Sequence, residues 1–165
     1  MTKTHNFEVG DFVVYPTHGV GKISSEEIDK YAGIQVKVYV ITFKNSNMTL
    51  RIPKSSVAKT GLRSVCSHEY LRQALEVLSG KEIRLNKGMW SKRAQHYENK
   101  INSGNLICVA EVVKELHCNT EKSKRSYSER IIYNDALERL AEEYAVTKKV
   151  EIEEAITRIN DKLRT

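Results

Sequence analysis

Residues Phe7–Ile23, FEVGDFVVYPTHGVGKI, are the most informative segment for the fold of the first third of the chain. It contains two groups of turn-forming residues, Val9-Gly10-Asp11 and Pro16-Thr17-His18-Gly19. Glycine reaches backbone angles that other residues avoid and proline fixes φ, so such groups favour turns. The four apolar residues Phe12–Tyr15 between them are typical of a short strand, and a second strand is expected over Val20–Ile28.

Further along, Ile34–Phe43 is rich in β-branched and aromatic residues, and its first half alternates apolar with polar side chains. This composition favours a strand. The residues Asn45-Ser46-Asn47 predict a hairpin turn into a further strand, Met48–Ile52, which Pro53 ends. Several short strands within about 60 residues predict a small, strongly bent sheet of the SH3 or Tudor type.

From Ser67 onward the apolar residues recur at a helical spacing of three to four. This period predicts five amphipathic helices. Gly80 is expected to close the first helix as its C′ residue, and Asn105 is expected to cap the third. The sequence therefore predicts an α+β protein of two domains. A Tudor/SH3-like small β-barrel is expected in residues 1–65, followed by an all-α helical domain in residues 66–165.

The charge of the chain is positive and unevenly distributed. The formal net charge is +6. Residues 1–65 carry nine basic and five acidic side chains, and residues 81–130 carry eleven and six. This excess permits nucleic-acid binding without requiring it. Because no apolar run is long enough to span a bilayer and Met1–Phe7 lacks a signal-peptide pattern, a cytoplasmic protein without membrane contact is expected.

The sequence offers little for catalysis or metal binding. Three cysteines, Cys66, Cys108 and Cys118, lack metal-ligand spacing and are expected to be reduced residues on helices. The five histidines are scattered, and Gly19-Val20-Gly21 lacks the remaining residues of a phosphate-binding loop. We therefore expect no enzyme activity, no cofactor and no metal.

Taken in order, several motifs resemble the CarD/CdnL family of bacterial transcription regulators. The first is Phe7–Ile23, whose module is similar to the polymerase-binding region of the transcription-repair coupling factor. The resemblance covers nearly the whole chain. It continues through Leu50-Arg51-Ile52-Pro53, Val57 to Arg63, Met89-Trp90-Ser91-Lys92-Arg93, Val109 to Leu116 and Ser128 to Leu140.

The resemblance implies a transcription regulator with two binding surfaces. The Tudor-like domain would bind the β subunit of bacterial RNA polymerase. The helical domain would contact promoter DNA at the upstream edge of the transcription bubble, where a tryptophan enters the minor groove and stabilises the open complex. We expect low sequence specificity, because the minor-groove code is degenerate. We also expect a monomer.

Two interpretations of Trp90, the single tryptophan, remain open. Trp90, Ala94, Tyr97 and Ile101 share a helical phase and could form one buried stripe. Alternatively, Ser91 is a good N-cap, which would leave Trp90 outside the helix as an exposed aromatic. Under the second interpretation Trp90 is the DNA wedge that the resemblance implies.

Basic residues near Trp90 are expected to contact DNA phosphates. The resemblance places Lys92 and Arg93 at positions that carry basic side chains at the DNA, although both could belong to an ordinary solvated helix face. Such contacts add salt dependence but little sequence preference. The basic segment Lys122 to Arg125 could also reach the DNA backbone.

The resemblance also places Arg51 at the family's polymerase-contacting arginine. A second family arginine does not carry over cleanly. Asp29 lies at its position by simple counting, and Lys30 would require a shifted register. A different class of function also remains open, in which the Tudor-like domain and the helices form a protein–protein adaptor that never touches DNA.

Overall fold

The computed structural model describes residues 6–81, 88–118 and 126–165, with the side chain of Cys118 left out. The chain divides into two compact units, Met1–Val65 and Cys66–Thr165. The first unit contains the strands and the second contains helices. This is the predicted arrangement of a Tudor-like β domain followed by a helical domain.

The β domain is an antiparallel sheet with the strand order β4-β3-β2-β1-β5 in the part of the chain described. The bounds of the strands are β1 Phe12–Tyr15, β2 Gly19–Tyr31, β3 Ile34–Phe43, β4 Met48–Pro53 and β5 Arg63–Ser64. The strand predicted over Ile34–Phe43 is confirmed with the same bounds. β2 extends beyond the predicted Val20–Ile28, because its distal half pairs with β3 as far as Tyr31 and Ile34.

Between β4 and β5 the chain forms short helical segments that the sequence did not predict. A 3₁₀ turn spans Lys54–Ser56, and a four-residue helix, α1, spans Val57–Thr60. These segments are too short to show a periodic apolar pattern. Gly61 ends α1 with a φ of 75°, a left-handed conformation that favours glycine.

Alternation along the strands separates the two faces of the sheet. One face forms the core, which contains Tyr39, Ile41 and Phe43 of β3 at every second position. Gly21 lies opposite this row, and a Cβ atom there would come within 2.7 Å of Ile41 Cγ2. A glycine is needed at this position because the side chains of Ile41 and Phe43 fill the space that a Cβ atom would take.

The second unit contains five helices within the residues described. Their bounds are α2 His68–Ser79, α3 Trp90–Ile101, α4 Leu106–Cys118, α5 Tyr127–Lys148 and α6 Ile152–Arg164. Their apolar faces meet in one core, to which the predicted stripes contribute Leu71, Ala74, Leu78, Leu106, Val109, Ala110, Val113, Leu116, Ile132, Ala136, Leu140, Tyr144, Ala155 and Ile159.

Helix termini follow the expected chemistry at several positions. The predicted cap Asn105 accepts a hydrogen bond from Ile107 N at 2.9 Å. Ser67 and Ser126 do the same for Tyr70 N and Glu129 N, each at 3.2 Å. The prediction for Gly80 was wrong in detail. Gly80 is the C-cap of α2 with a φ of −76°, so it closes the helix without a left-handed turn.

Buried polar groups connect the helices through hydrogen bonds. Lys114 Nζ donates to Leu78 O at 2.7 Å, near the end of α2 where helical carbonyls lack partners within the helix. The buried Glu143 accepts from Cys66 N at 2.8 Å. Cys108 lies on α4 as predicted, whereas Cys66 precedes α2 and does not lie on a helix, contrary to the prediction.

Candidate functional site

The helix that carries Trp90 begins earlier than predicted. α3 starts at Trp90 itself, and Met89 is the N-cap, with no side-chain hydrogen bond at the cap. The backbone amides of Lys92 and Arg93 donate to Met89 O at 3.1 and 3.0 Å. The prediction that Ser91 caps the helix and leaves Trp90 outside it was therefore wrong.

A physical reason for the early start of α3 is the apolar helix face that forms when Trp90 is helical. With Trp90 inside the helix, Trp90, Ala94 and Tyr97 lie on one side and pack towards the helical core. Fully burying a large apolar side chain contributes about 1.5–3 kcal/mol. A serine cap contributes about 1 kcal/mol, which is comparable to the burial of about half of the Trp90 side chain, so a start at Trp90 can compensate for the missing cap.

Trp90 is half-buried, so neither interpretation of it holds in full. Its ring packs against the core, and its centroid lies 6.4 Å from that of Tyr97. Farther along the stripe Tyr97 and Ile101 are buried. At the other end Met89 is 68% exposed. The indole therefore lies at the boundary between the core and the solvent.

Arg93 lies against Trp90. Its guanidinium carbon is 5.4 Å from the centroid of the Trp90 ring and 5.8 Å from that of Tyr97. Its Nη2 donates to Tyr97 Oη at 3.3 Å, whereas its buried Nε has no acceptor among the residues described. Arg93 is thus a half-buried cation held by two aromatic rings, which differs from the solvated helix face considered from the sequence.

Tyr97 connects α3 to α4. Its hydroxyl donates to Oε1 of the buried Glu115 at 3.0 Å. Burial raises the pKa of Tyr97 above its ordinary value, and the neighbouring Arg93 opposes this shift in part. The helical spacing places Tyr97 in the apolar stripe but does not predict its polar role. Its spacing of four residues from Arg93 is the signal that could have indicated it, since such side chains are neighbours on a helix.

Lys92 is exposed on the first turn of α3. The structure therefore places Trp90, Lys92 and Arg93 on the first turn of one helix, where the positive end of the helix dipole also favours anions. Lys122, Lys124 and Arg125, which the sequence offered as a further basic segment, lie outside the described residues.

Arg51 lies on the face of the sheet opposite the core. Its strand register pairs it with Val40 of β3, which in turn pairs with Ser25 of β2. Two and four residues beyond Ser25, on the same face, lie Glu27 and Asp29. The Arg51 side chain extends across β3 and forms ion pairs with both carboxylates.

The contact with Asp29 is bidentate. Arg51 Nη2 donates to Asp29 Oδ1 at 2.6 Å and Arg51 Nε donates to Asp29 Oδ2 at 3.1 Å. These hydrogen bonds lower the pKa of Asp29 from its ordinary value of 3.8 and raise the pKa of Arg51 further above its usual range. Both side chains are partly exposed, so Arg51 is a charge-compensated surface cation.

Asp29 and Lys30, the two candidates for the position of the second family arginine, lie on opposite faces of β2. Asp29 shares a face with Arg51, whereas Lys30 is exposed and, by the alternation of β2, points to the opposite face. Simple counting therefore gives the residue beside Arg51, and that residue is acidic. The ion pairs of Arg51 with Glu27 and Asp29 were not predicted from the sequence.

Two negative observations apply to the residues described. No group of three or more His, Cys, Asp or Glu side chains is placed to hold a metal ion in residues 6–81, 88–118 and 126–165. No helix in the same ranges is long and apolar enough to cross a membrane.

Comparison with known proteins identifies both parts of the chain. Residues 7–66 match the family model described as the CarD-like/TRCF RID domain, and residues 73–160 match that of the CarD C-terminal domain. The chain is also 31% identical over 145 residues to the "Putative transcription factor YdeB" of Bacillus subtilis (strain 168). That alignment covers 87% of this chain and 94% of the relative. From its motifs, its fold and these matches, the chain belongs to the CarD family of transcription regulators.

Proposed function

We propose that this transcription regulator binds the β subunit of bacterial RNA polymerase with the sheet face around Arg51. We further propose that it contacts promoter DNA with the first turn of α3. The N-terminal match is to a domain type that interacts with RNA polymerase, which supports the first contact. Trp90 would enter the minor groove at the upstream edge of the bubble, and Lys92 and Arg93 would contact the flanking phosphates.

The observation that carries the DNA contact is the position of Trp90. A half-buried indole beside the Arg93 guanidinium, on the first turn of a helix that also carries the exposed Lys92, combines an apolar surface with positive charge. Minor-groove proteins use apolar side chains of this kind to hold unstacked base steps, and basic side chains to hold the phosphates. The anchored base of the indole would keep the ring rigid while its outer edge meets the DNA.

The polymerase-binding and DNA-binding surfaces, acting together, would explain how a weak DNA contact can stabilise the open complex. Binding to polymerase raises the local concentration of the DNA-contacting helix at one place, the bubble edge. Trp90 then favours the open complex only by the difference between its contacts in the open and the closed state.

A second candidate function rests on the same half-burial. Trp90 packs against the helical core and Arg93 is occupied by Trp90 and Tyr97, as in a purely structural cluster. In that case the protein is a protein–protein adaptor of the transcription apparatus without a DNA contact. Replacing Trp90 would then change stability alone.

The lifetime of the open complex on a promoter fragment, with cognate RNA polymerase, separates the two. We expect the wild type to lengthen this lifetime and Trp90→Ala to lose the effect. A contribution of about 1 kcal/mol corresponds to about a fivefold change in lifetime. Ile107→Ala is the matched control, because Ile107 is also half-buried against the same core but lies on α4.

The control is necessary because Trp90→Ala also removes packing. Truncating a fully buried aromatic costs about 3–5 kcal/mol, and a half-buried one should cost less. If Ile107→Ala lowers the lifetime as much as Trp90→Ala at equal stability, Trp90 acts through the fold and the adaptor function is favoured. If the wild type has no effect, the open-complex proposal fails.

A further inference from the structure

We propose that Tyr97 is a positioning residue for the DNA contact: its hydroxyl, held by Glu115, fixes the Arg93 guanidinium against the indole of Trp90. This inference rests on the proposed function, because it concerns how that contact is prepared before DNA binds. It assigns a role to two residues, Tyr97 and Glu115, that belong to neither predicted surface.

The direction of each hydrogen bond follows from the groups involved. A carboxylate only accepts and a guanidinium only donates. The Tyr97 hydroxyl therefore donates to Glu115 Oε1 at 3.0 Å, and its oxygen accepts from Arg93 Nη2 at 3.3 Å. Since Tyr97 is 1% exposed and Glu115 is 6% exposed, water competes little for these bonds.

The rings of Trp90 and Tyr97 also contact the same guanidinium. Arg93 is 5.4 Å from the Trp90 centroid and 5.8 Å from that of Tyr97, within the range of cation–π attraction. The buried Arg93 Nε has no acceptor in the part of the chain described. We therefore attribute the position of the guanidinium to the Tyr97 hydroxyl and the two rings.

These contacts would hold the Trp90 and Arg93 side chains in a fixed arrangement before DNA binds. Immobilising flexible side chains on binding reduces affinity, so side chains that are already fixed bind more tightly. A cation next to the indole also suits the negative potential of a narrow minor groove. Without the Tyr97 hydroxyl, Arg93 would turn towards solvent and leave the indole less covered and more mobile.

Tyr97→Phe tests this, because it keeps the buried ring and removes only the hydroxyl. Tyr133→Phe is the matched control, since Tyr133 is also buried in the helical unit and its hydroxyl lies 3.4 Å from His117 Nδ1. Trp90 is the single tryptophan, so its fluorescence reports on this site alone. Acrylamide quenching and fluorescence anisotropy are measured without DNA, and affinity is measured with a forked promoter duplex.

We expect Tyr97→Phe to increase acrylamide quenching of Trp90 and to lower its anisotropy, whereas Tyr133→Phe leaves both unchanged. The dissociation constant for forked DNA should rise about threefold to tenfold in Tyr97→Phe alone. A role of Tyr97 in core packing alone predicts equal quenching in the wild type and both variants. That result would overturn the proposal.

The outcomes also separate this proposal from the proposed function. If the wild type does not bind forked DNA, the proposed DNA contact fails, while a quenching change confined to Tyr97→Phe still establishes that Tyr97 holds Arg93 on Trp90. If the wild type and Tyr97→Phe bind equally well, the DNA contact stands and the positioning role is overturned. If Tyr97→Phe does not fold, Arg93→Lys is used with the same readouts. It keeps the charge but lacks the planar guanidinium, so unchanged quenching would contradict the proposal.

Discussion

Arg51 and Arg93 are the two arginines proposed to meet a partner, and each is already bound by neighbours in its own unit. Arg51 lies between two carboxylates on an exposed sheet face, and Arg93 lies between two rings at the edge of the helical core. Exposed ion pairs contribute only about 0–1 kcal/mol, so Arg51 can exchange its carboxylates for those of a partner at little cost. Arg93 is held by more contacts and should move less.

The pairing of Arg51 with Asp29 is testable by titration. The pKa of Asp29 lies below its ordinary value of 3.8 because Arg51 donates two hydrogen bonds to it. A lowered pKa stabilises the folded state above pH 3.8, and this contribution is lost as the pH falls through the lower, folded-state pKa. In Arg51→Ala we therefore expect the pKa of Asp29 to rise towards its ordinary value, as measured by NMR of its carboxyl carbon.

Lys54→Ala is the control for this titration. Lys54 forms an ion pair with Glu26, which lies on the other face of β2 from Asp29. Its removal should leave the pKa of Asp29 unchanged. Equal pKa values in the wild type and Arg51→Ala would contradict the ion pair.

At the scale of single elements, the ends of the helices show where local preference and tertiary packing differ. α5 begins at the cap Ser126, whose neighbour three residues on, Glu129, is an acidic residue suited to a helix start. α3 begins without a side-chain cap. It starts at Trp90, one residue before the good cap Ser91, and Trp90 packs on the helical core. Local signals decide a terminus only where no apolar side chain competes.

The end of α5 gives a prediction about stability. Its C-cap is Lys149, in the left-handed conformation with φ 55° and ψ 49°. This region costs a non-glycine residue about 1–2 kcal/mol, part of which glycine loses again through its greater freedom in the unfolded chain. We expect Lys149→Gly to stabilise the protein by about 0.5–1 kcal/mol, as measured by urea unfolding.

The neighbouring Lys148→Gly serves as the comparison. Lys148 is equally exposed but is the last residue of α5. Glycine there should destabilise the protein, by at most about 1 kcal/mol, because it weakens the helix without relieving strain. Shifts of the same sign in both variants would show that the backbone conformation of Lys149 carries no penalty.

For the whole molecule, the central property is that two units carry two different surfaces. The sheet of Met1–Val65 carries Arg51 and the helices of Cys66–Thr165 carry Trp90. If the Arg51 surface serves to raise the local concentration of the Trp90 surface at the promoter, a substitution in either surface should respond differently to protein concentration.

We expect Arg51→Glu to weaken the effect on open-complex lifetime at low protein concentration and to recover at high concentration. The charge reversal places a third carboxylate beside Glu27 and Asp29, so it should impair polymerase binding without altering the DNA contact. Trp90→Ala should not recover at any concentration. Titrating each variant in the lifetime assay checks this, and recovery of both or of neither would count against separate surfaces.

The class of fold and the order of its elements could be predicted from local patterns in the sequence. Alternating and β-branched runs such as Ile34–Phe43 give strands, and the period of three to four from Ser67 onward gives helices. These signals are local, which explains why the bounds of β3 and the cap at Asn105 could be predicted. The motifs also determined the family, and with it Trp90, Lys92, Arg93 and Arg51 as candidate residues.

The surroundings of those candidate residues depend on the packing of the folded chain and could not be predicted from local patterns. The ion pair between Arg51 and Asp29 joins β4 to β2 across a third strand, and the hydrogen bond from Tyr97 to Glu115 joins two helices. Neither has a local signature, because the partners are brought together by strand register and helix packing. The half-burial of Trp90 likewise depends on which apolar surface is available to it. Periodicity specifies the face of a helix, but packing against the rest of the core sets how deeply each residue of that face is buried.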